Sequence, residues 1–108
     1  MSVHLPSPIE LYVRAENSGD SKALSECFSS AAIVRDEGHT YQGLAAITGW
    51  MAETKKKYGH TLAPLAIAYR DGKTRLKAEL TGNFPGSPVT LEFGFVLENG
   101  KIASLKIG

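Results

Sequence analysis

Cysteine is almost missing from this chain: Cys27 stands alone, so no disulfide can form within it. Its setting between Leu24 and Phe28, in an apolar helical pattern, makes it a buried thiol rather than a nucleophile. Charge of one sign is also lacking, with 12 Lys and Arg against 11 Asp and Glu. The one basic run, Lys55-Lys56-Lys57, has no aromatics between its residues and no wider basic stripe, so nucleic acid is not an expected partner. The run falls at the end of an expected helix, where it complements the helix dipole. No window approaches the roughly 20 apolar residues of a membrane span. The N-terminus, Met-Ser-Val-His-Leu-Pro-Ser-Pro, lacks the basic start and apolar run of a signal peptide, so the expected location is the cytoplasm, with no membrane partner. Gly-x-Gly-x-x-Gly, P-loop, Gly-x-Ser-x-Gly and His-Glu-x-x-His motifs are absent, which disfavours nucleotide-dependent, serine-hydrolase and zinc-protease chemistry. His4, His39 and His60 are scattered, with no Cys or acid at ligand spacing, so neither a metal nor another cofactor is implied.

What is present describes one domain over residues 1–108, with 43% hydrophobic and 21% charged residues. Ser7-Pro8-Ile9-Glu10 reads as a helix start, with Ser7 as the cap and Glu10 completing a capping box. Ile9, Tyr12, Val13 and Glu16 follow at helical spacing, and Asn17-Ser18-Gly19-Asp20 stops the helix. Asp20 is placed to cap a second helix carrying Ala23, Leu24, Cys27 and Phe28. Ala31 to Asp36 reads as a strand, ended by the turn Glu37-Gly38-His39. Gly43 to Tyr58 reads as the longest helix, with Leu44, Ile47, Trp50 (or Met51) and Thr54 along one side and Gly59 as terminator.

From His60 the apolar period changes to two. Leu62 to Arg70, Thr74 to Phe84, Val89 to Leu97 and Lys101 to Ile107 read as strands, separated by Asp71-Gly72, Pro85-Gly86-Ser87-Pro88 and Glu98-Asn99-Gly100. Gly82 and Gly94 interrupt two of them, where a bulge or bend is expected. Helices followed by an antiparallel meander form an α+β layout, with the N-terminal helices packed on one face of a curved sheet. Such a sheet closed by helices makes a cone whose mouth can hold a small molecule.

Asp36 is the acid at the end of an apolar run. It is either a general base in that cone or a turn acid paired with Arg35 or solvent. His39 is a proton carrier at the rim or an exposed loop histidine, and His60 looks structural. Tyr41 and Trp50 line the pocket, unless Trp50 is a core anchor. Phe84, Phe93 and Phe95 form the cone wall or the core.

The order of these elements resembles the nuclear transport factor 2-like superfamily, the cone-shaped, cystatin-like fold of ketosteroid isomerases and SnoaL-type polyketide cyclases. The pieces that carry the resemblance are Leu-Tyr-Val-Arg-Ala-Glu-Asn-Ser-Gly-Asp, the strand ending in Asp36, Gly-Leu-Ala-Ala-Ile-Thr-Gly-Trp and the closing Gly-Lys-Ile-Ala-Ser-Leu-Lys-Ile. By that resemblance Tyr12 falls where the isomerases keep an oxyanion-hole tyrosine, and Asp36 where they keep the proton-moving carboxylate; read from the residues alone, Tyr12 is a helix-face tyrosine whose ring fills the core and whose hydroxyl finds a backbone acceptor. Phe93 takes the place of a third group, the protonated acid that shares the oxyanion hole; Glu92 is adjacent but faces the other way. The resemblance implies a small-molecule pocket protein, with cofactor-free proton transfer (isomerase, cyclase or dehydratase) next to a carbonyl of a small apolar substrate. A non-catalytic ligand-binding or assembly module of the same fold is the alternative. It also implies a homodimer through the outer sheet face, where Arg75, Lys77, Glu79, Thr81 and Glu92 make a mixed-charge surface that can complement itself.

Overall fold

The computed structural model describes residues 3–108. Helix α1 spans Ser7–Ser18, so Ser7 is already helical and makes no capping bond. The carbonyl of Pro6 instead accepts from the N–H groups of Ile9 and Glu10, and Pro8 in the first turn has no N–H to satisfy. That leaves the expected capping box little to do, and Glu10 accepts from Arg14 at 2.9 Å. Gly19 ends the helix as expected, at φ 74°, with its N–H on the Ala15 carbonyl at 2.9 Å. The second helix is shorter than the periodicity suggests: a 3-10 turn, Ser21–Ala23, leads into α2, Leu24–Cys27. Asp20 precedes the turn without a side-chain capping bond. Phe28 opens strand β1 (Phe28–Asp36), because its ring packs edge-on to Tyr12 at 5.8 Å rather than continuing a helix face.

The turn after β1 is only Glu37-Gly38, both at positive φ, and His39 begins an additional strand, β2 (His39–Gln42). Its four residues carry no apolar alternation, so pairing alone defines it: Asp36 stands opposite His39 and Val34 opposite Tyr41. Helix α3 (Leu44–Tyr58) buries Ile47, Trp50 and Met51 and closes on Gly59 at φ 55°. Four strands complete the chain: β3 (Thr61–Arg70), β4 (Lys73–Thr81), β5 (Val89–Glu98) and β6 (Lys101–Ile107). Asp71-Gly72 and Asn99-Gly100 each place two successive residues at positive φ, a hairpin geometry that suits strand twist.

The six strands form one curved sheet in the order β2-β1-β6-β5-β4-β3, with the helices packed on it in the expected α+β arrangement. All pairings are antiparallel except β1 with β6, which run parallel. The register stacks one apolar face: Leu76 opposite Phe93, Ala78 opposite Leu91, Phe95 opposite Leu105. Against that face α1 and α3 bury Ile9, Tyr12, Val13, Ile47 and Met51. Cys27 lies wholly inside, where burial pushes its thiol up to about 12, as an inert core group requires. The register irregularities fall in β1, between Pro64 and Ala66, and between Val96 and Leu97, not at Gly82 or Gly94. Gly82 serves another purpose. A Cβ there would sit 2.9 Å from the Tyr58 carbonyl oxygen and 3.0 Å from His60 Cα, so only glycine lets the chain pass the end of α3.

Candidate functional site

Strand alternation puts Asp36 on the same side of β1 as the buried Ala32 and Val34, at the point where the strand leaves the core. There it meets α3. The indole Nε1–H of Trp50 donates to Asp36 Oδ2 at 3.1 Å, fixing the half-buried carboxylate from one side. Burial is the chief cause that raises its pKa above the ordinary aspartate value. The Trp50 hydrogen bond opposes that shift, while the Glu37 and Glu16 charges add to it.

Asp36 lies on the wall of a cavity of about 350 Å³. Leu80, Val89, Leu91 and Phe93 supply its sheet side, and Trp50, Thr54 and Tyr58 its α3 side. Phe84, expected on a strand, sits in the loop after β4 with its ring edge-on to Tyr58 at 6.0 Å, and it too lines the cavity.

Behind Asp36 is a buried chain of polar groups. The Tyr12 hydroxyl donates to Glu16 Oε2 at 2.5 Å, and His60 Nε2 lies 3.0 Å from Glu16 Oε1. Tyr12 is fully enclosed by Phe28, Phe93 and Phe95, with centroids 5.8, 6.5 and 5.7 Å away. Burial first, then the neighbouring Glu16, holds its phenol well above the usual tyrosine value, so it stays protonated. The Tyr12 hydroxyl and His60 Nε2 thus share the two carboxyl oxygens of Glu16. No described residue partners the other ring nitrogen, Nδ1. Three further bonds hold this corner: Asn17 pairs with the backbone of Leu62 at 2.6 and 3.0 Å, and Lys55 Nζ donates to the His60 carbonyl.

The expected site residues therefore divide. Asp36, Trp50, Phe84 and Phe93 share the cavity wall. Tyr12 is not on that wall; its hydroxyl reaches only Glu16, which is. Phe95 packs in the core against Tyr12. His39 and Tyr41, carried by β2, line a neighbouring open groove of about 620 Å³ that shares Glu37, Thr54 and Tyr58 with the cavity. Sequence reading missed Glu16 and His60 as wall residues. The signal was a carboxylate on the buried face of α1, four residues after Tyr12, where an acid is tolerated only with partners. Among the described residues no three His, Cys, Asp or Glu side chains gather to hold a metal ion.

No protein-family model matches the sequence, and no curated protein does. Solved structures do. A proposed polyketide cyclase from Sinorhizobium meliloti superposes with a TM-score of 0.91, covering 96% of this chain and 95% of its own at 39% identity. A protein of ketosteroid isomerase-like fold from Catenulispora acidiphila, in complex with trimethylamine, gives 0.84 at 18% identity over 97% of this chain and 86% of that one. A proposed SnoaL-like isomerase from Agrobacterium tumefaciens gives 0.76 at 15% identity, over 94% and 92%. The last two share the fold alone. The first is close enough in sequence to settle kinship: this chain belongs to the family of that proposed polyketide cyclase, within the nuclear transport factor 2-like superfamily.

Proposed function

We propose that the chain binds a small, largely apolar carbonyl compound in this cavity and moves a proton beside the carbonyl without a cofactor, with Asp36 as the base. The observation that carries the reading is the Asp36 carboxylate itself. It stands on an apolar wall, is fixed by Trp50, and has a pKa raised by burial towards the range in which a carboxylate both takes and returns protons. In the step, the substrate C–H bond breaks and its proton passes to Asp36. The electron pair forms the C=C bond of an enolate as the carbonyl pair moves to oxygen; the carbonyl then re-forms as the carboxyl returns the proton to the same carbon or, where a second C=C is conjugated with the enolate, to the far end of that dienolate. Phe84 and Phe93 hold the apolar body of the substrate. Tyr12 acts through Glu16 as a positioning residue, and His39 and Tyr41 lie beyond the mouth. Deuterium incorporation next to the carbonyl of small cyclic ketones, followed by NMR, tests this. Asp36→Asn should abolish it while the fold is retained; exchange at the natural rate in that variant sinks the role of Asp36.

One observation favours the second reading, a ligand-binding module without catalysis. The Tyr12 hydroxyl is engaged by Glu16, and Phe93 stands where a second donor would be, so a developing oxyanion has few donors near it. Saturable binding without exchange would establish that reading. In either case we propose a homodimer through the outer face of the sheet.

A further inference from the structure

The polar groups of the cavity are unbalanced. Glu16, Asp36 and Glu37 bring carboxylates, His60 brings an imidazole, and no Lys or Arg is among the lining residues. Donors are few: the Trp50 N–H goes to Asp36 and the Thr54 hydroxyl to the Met51 carbonyl at 3.2 Å, which leaves the Tyr58 hydroxyl. Independently of the acids, His60 supplies an unpartnered polar atom. It is a wall residue only 6% exposed, and its Nδ1 is the one buried side-chain nitrogen or oxygen without a partner among the described residues. A polar nitrogen enclosed in this way is costly until a partner reaches it, and with the ring proton on Nε2 that partner is a donor. A neutral ketone or an anion adds acceptors to a place already rich in them. A protonated amine adds N–H donors and the opposite charge, and the rings of Trp50, Tyr58, Phe84 and Phe93 are surfaces that favour a cation.

We propose that the ligand of this cavity carries a small organic ammonium group. Its N–H donors go to the Asp36 and Glu16–His60 side, and its hydrocarbon part lies against Phe84, Leu91 and Phe93. The inference rests on the cavity being a ligand site and narrows what it takes. It also relieves a difficulty of the proton-transfer reading, since an enolate among three carboxylates is repelled by them and an ammonium on the same substrate offsets that repulsion.

Calorimetric titration of the full chain at pH 7 with three probes of one shape tests it: cyclohexylammonium, cyclohexanone and cyclohexanecarboxylate. The cation should bind at least about tenfold more tightly than the ketone, the scale of a charge-assisted hydrogen bond, and the carboxylate should give no saturable heat. Binding of the cation should shift the Nε1–H resonance of Trp50, the only tryptophan, which places it in the cavity. Asp36→Asn keeps the shape of the side chain and should weaken the cation about tenfold while leaving the ketone within about twofold. Glu37→Gln, at an exposed turn, provides a second variant should the first not fold, and should weaken the cation alone. Ketone binding as tight as the cation overturns the ammonium assignment and leaves the carbonyl site standing. Failure of all three probes overturns both.

Discussion

Glu16 is the residue on which two others depend. Its carboxylate oxygens take the Tyr12 hydroxyl and His60 Nε2, and all three side chains are buried. Glu16→Ala leaves a phenol and an imidazole without partners inside the core. The expected loss is about 2–6 kcal/mol, the scale for leaving two buried polar groups unsatisfied. It reads as a lowered midpoint of urea unfolding with an unchanged slope. Glu16→Gln keeps one acceptor and should lose less; equal losses would mean that packing, not hydrogen bonding, explains the effect. Asp36 behaves in the opposite sense. Its pKa is raised in the folded protein, so its favourable contribution is fully present below the ordinary aspartate range and is lost as pH rises through the raised value. Asp36→Asn should therefore gain stability relative to the natural chain as pH rises from about 4 to 7, while losing proton transfer. In the natural chain the rate should fall as acid protonates this base, with a midpoint above that of free aspartate. A variant that loses stability relative to the natural chain over the same pH rise would contradict the shift.

At the scale of elements, the cavity depends on how the end of α3 meets β3 and β4. Gly82 permits a contact with the Tyr58 carbonyl that no Cβ could share, and the Asn17 side chain pairs with Leu62 as a neighbouring strand would. Gly82→Ala should cost about 1–3 kcal/mol as an overpacked contact, and Asn17→Ala a similar amount by leaving the Leu62 N–H and C=O unpaired. Thermal unfolding checks both, and a Gly82→Ala chain as stable as the natural one would refute the close approach. This junction was invisible in the sequence because Asn17 and Leu62 are 45 positions apart, and Gly82 was readable only as an interruption of a strand. The long strands and α3 were legible, since their apolar residues keep one period over nine residues or more. α2 and β2 were not. Four residues hold too little pattern, and Phe28 suits a helix face as well as a strand opposite Tyr12. Asp36 was legible as the acid ending a buried run, whereas Glu16 looked like one more polar helix position until its partners were known.

At the scale of the whole molecule, the helices cover one face of the sheet and leave the other without a layer. On that outer face Arg75 pairs with Glu92 at 2.8 Å, and Lys77 stands opposite Glu92 in the β4–β5 register. Glu79 continues the alternation, so a two-fold axis through this patch can set acids of one copy against bases of the other. At the sheet edge, Leu65 and Tyr69 are 51% and 67% exposed, apolar area that a partner would shelter. A stable dimer buries roughly 800 Å² on each partner, a modest part of the 6374 Å² this chain exposes. The 11.6 kDa chain should therefore sediment at micromolar concentration with twice its mass. Changing Arg75 and Lys77 together to Glu places four acids on the patch and should shift the equilibrium to monomer, without loss of fold because both side chains are exposed. Leu65→Asp should weaken the dimer as well. High salt should weaken it in part, by screening the rim charges. A natural chain that sediments as a monomer, or a dimer indifferent to all three changes, rules out this face as the interface.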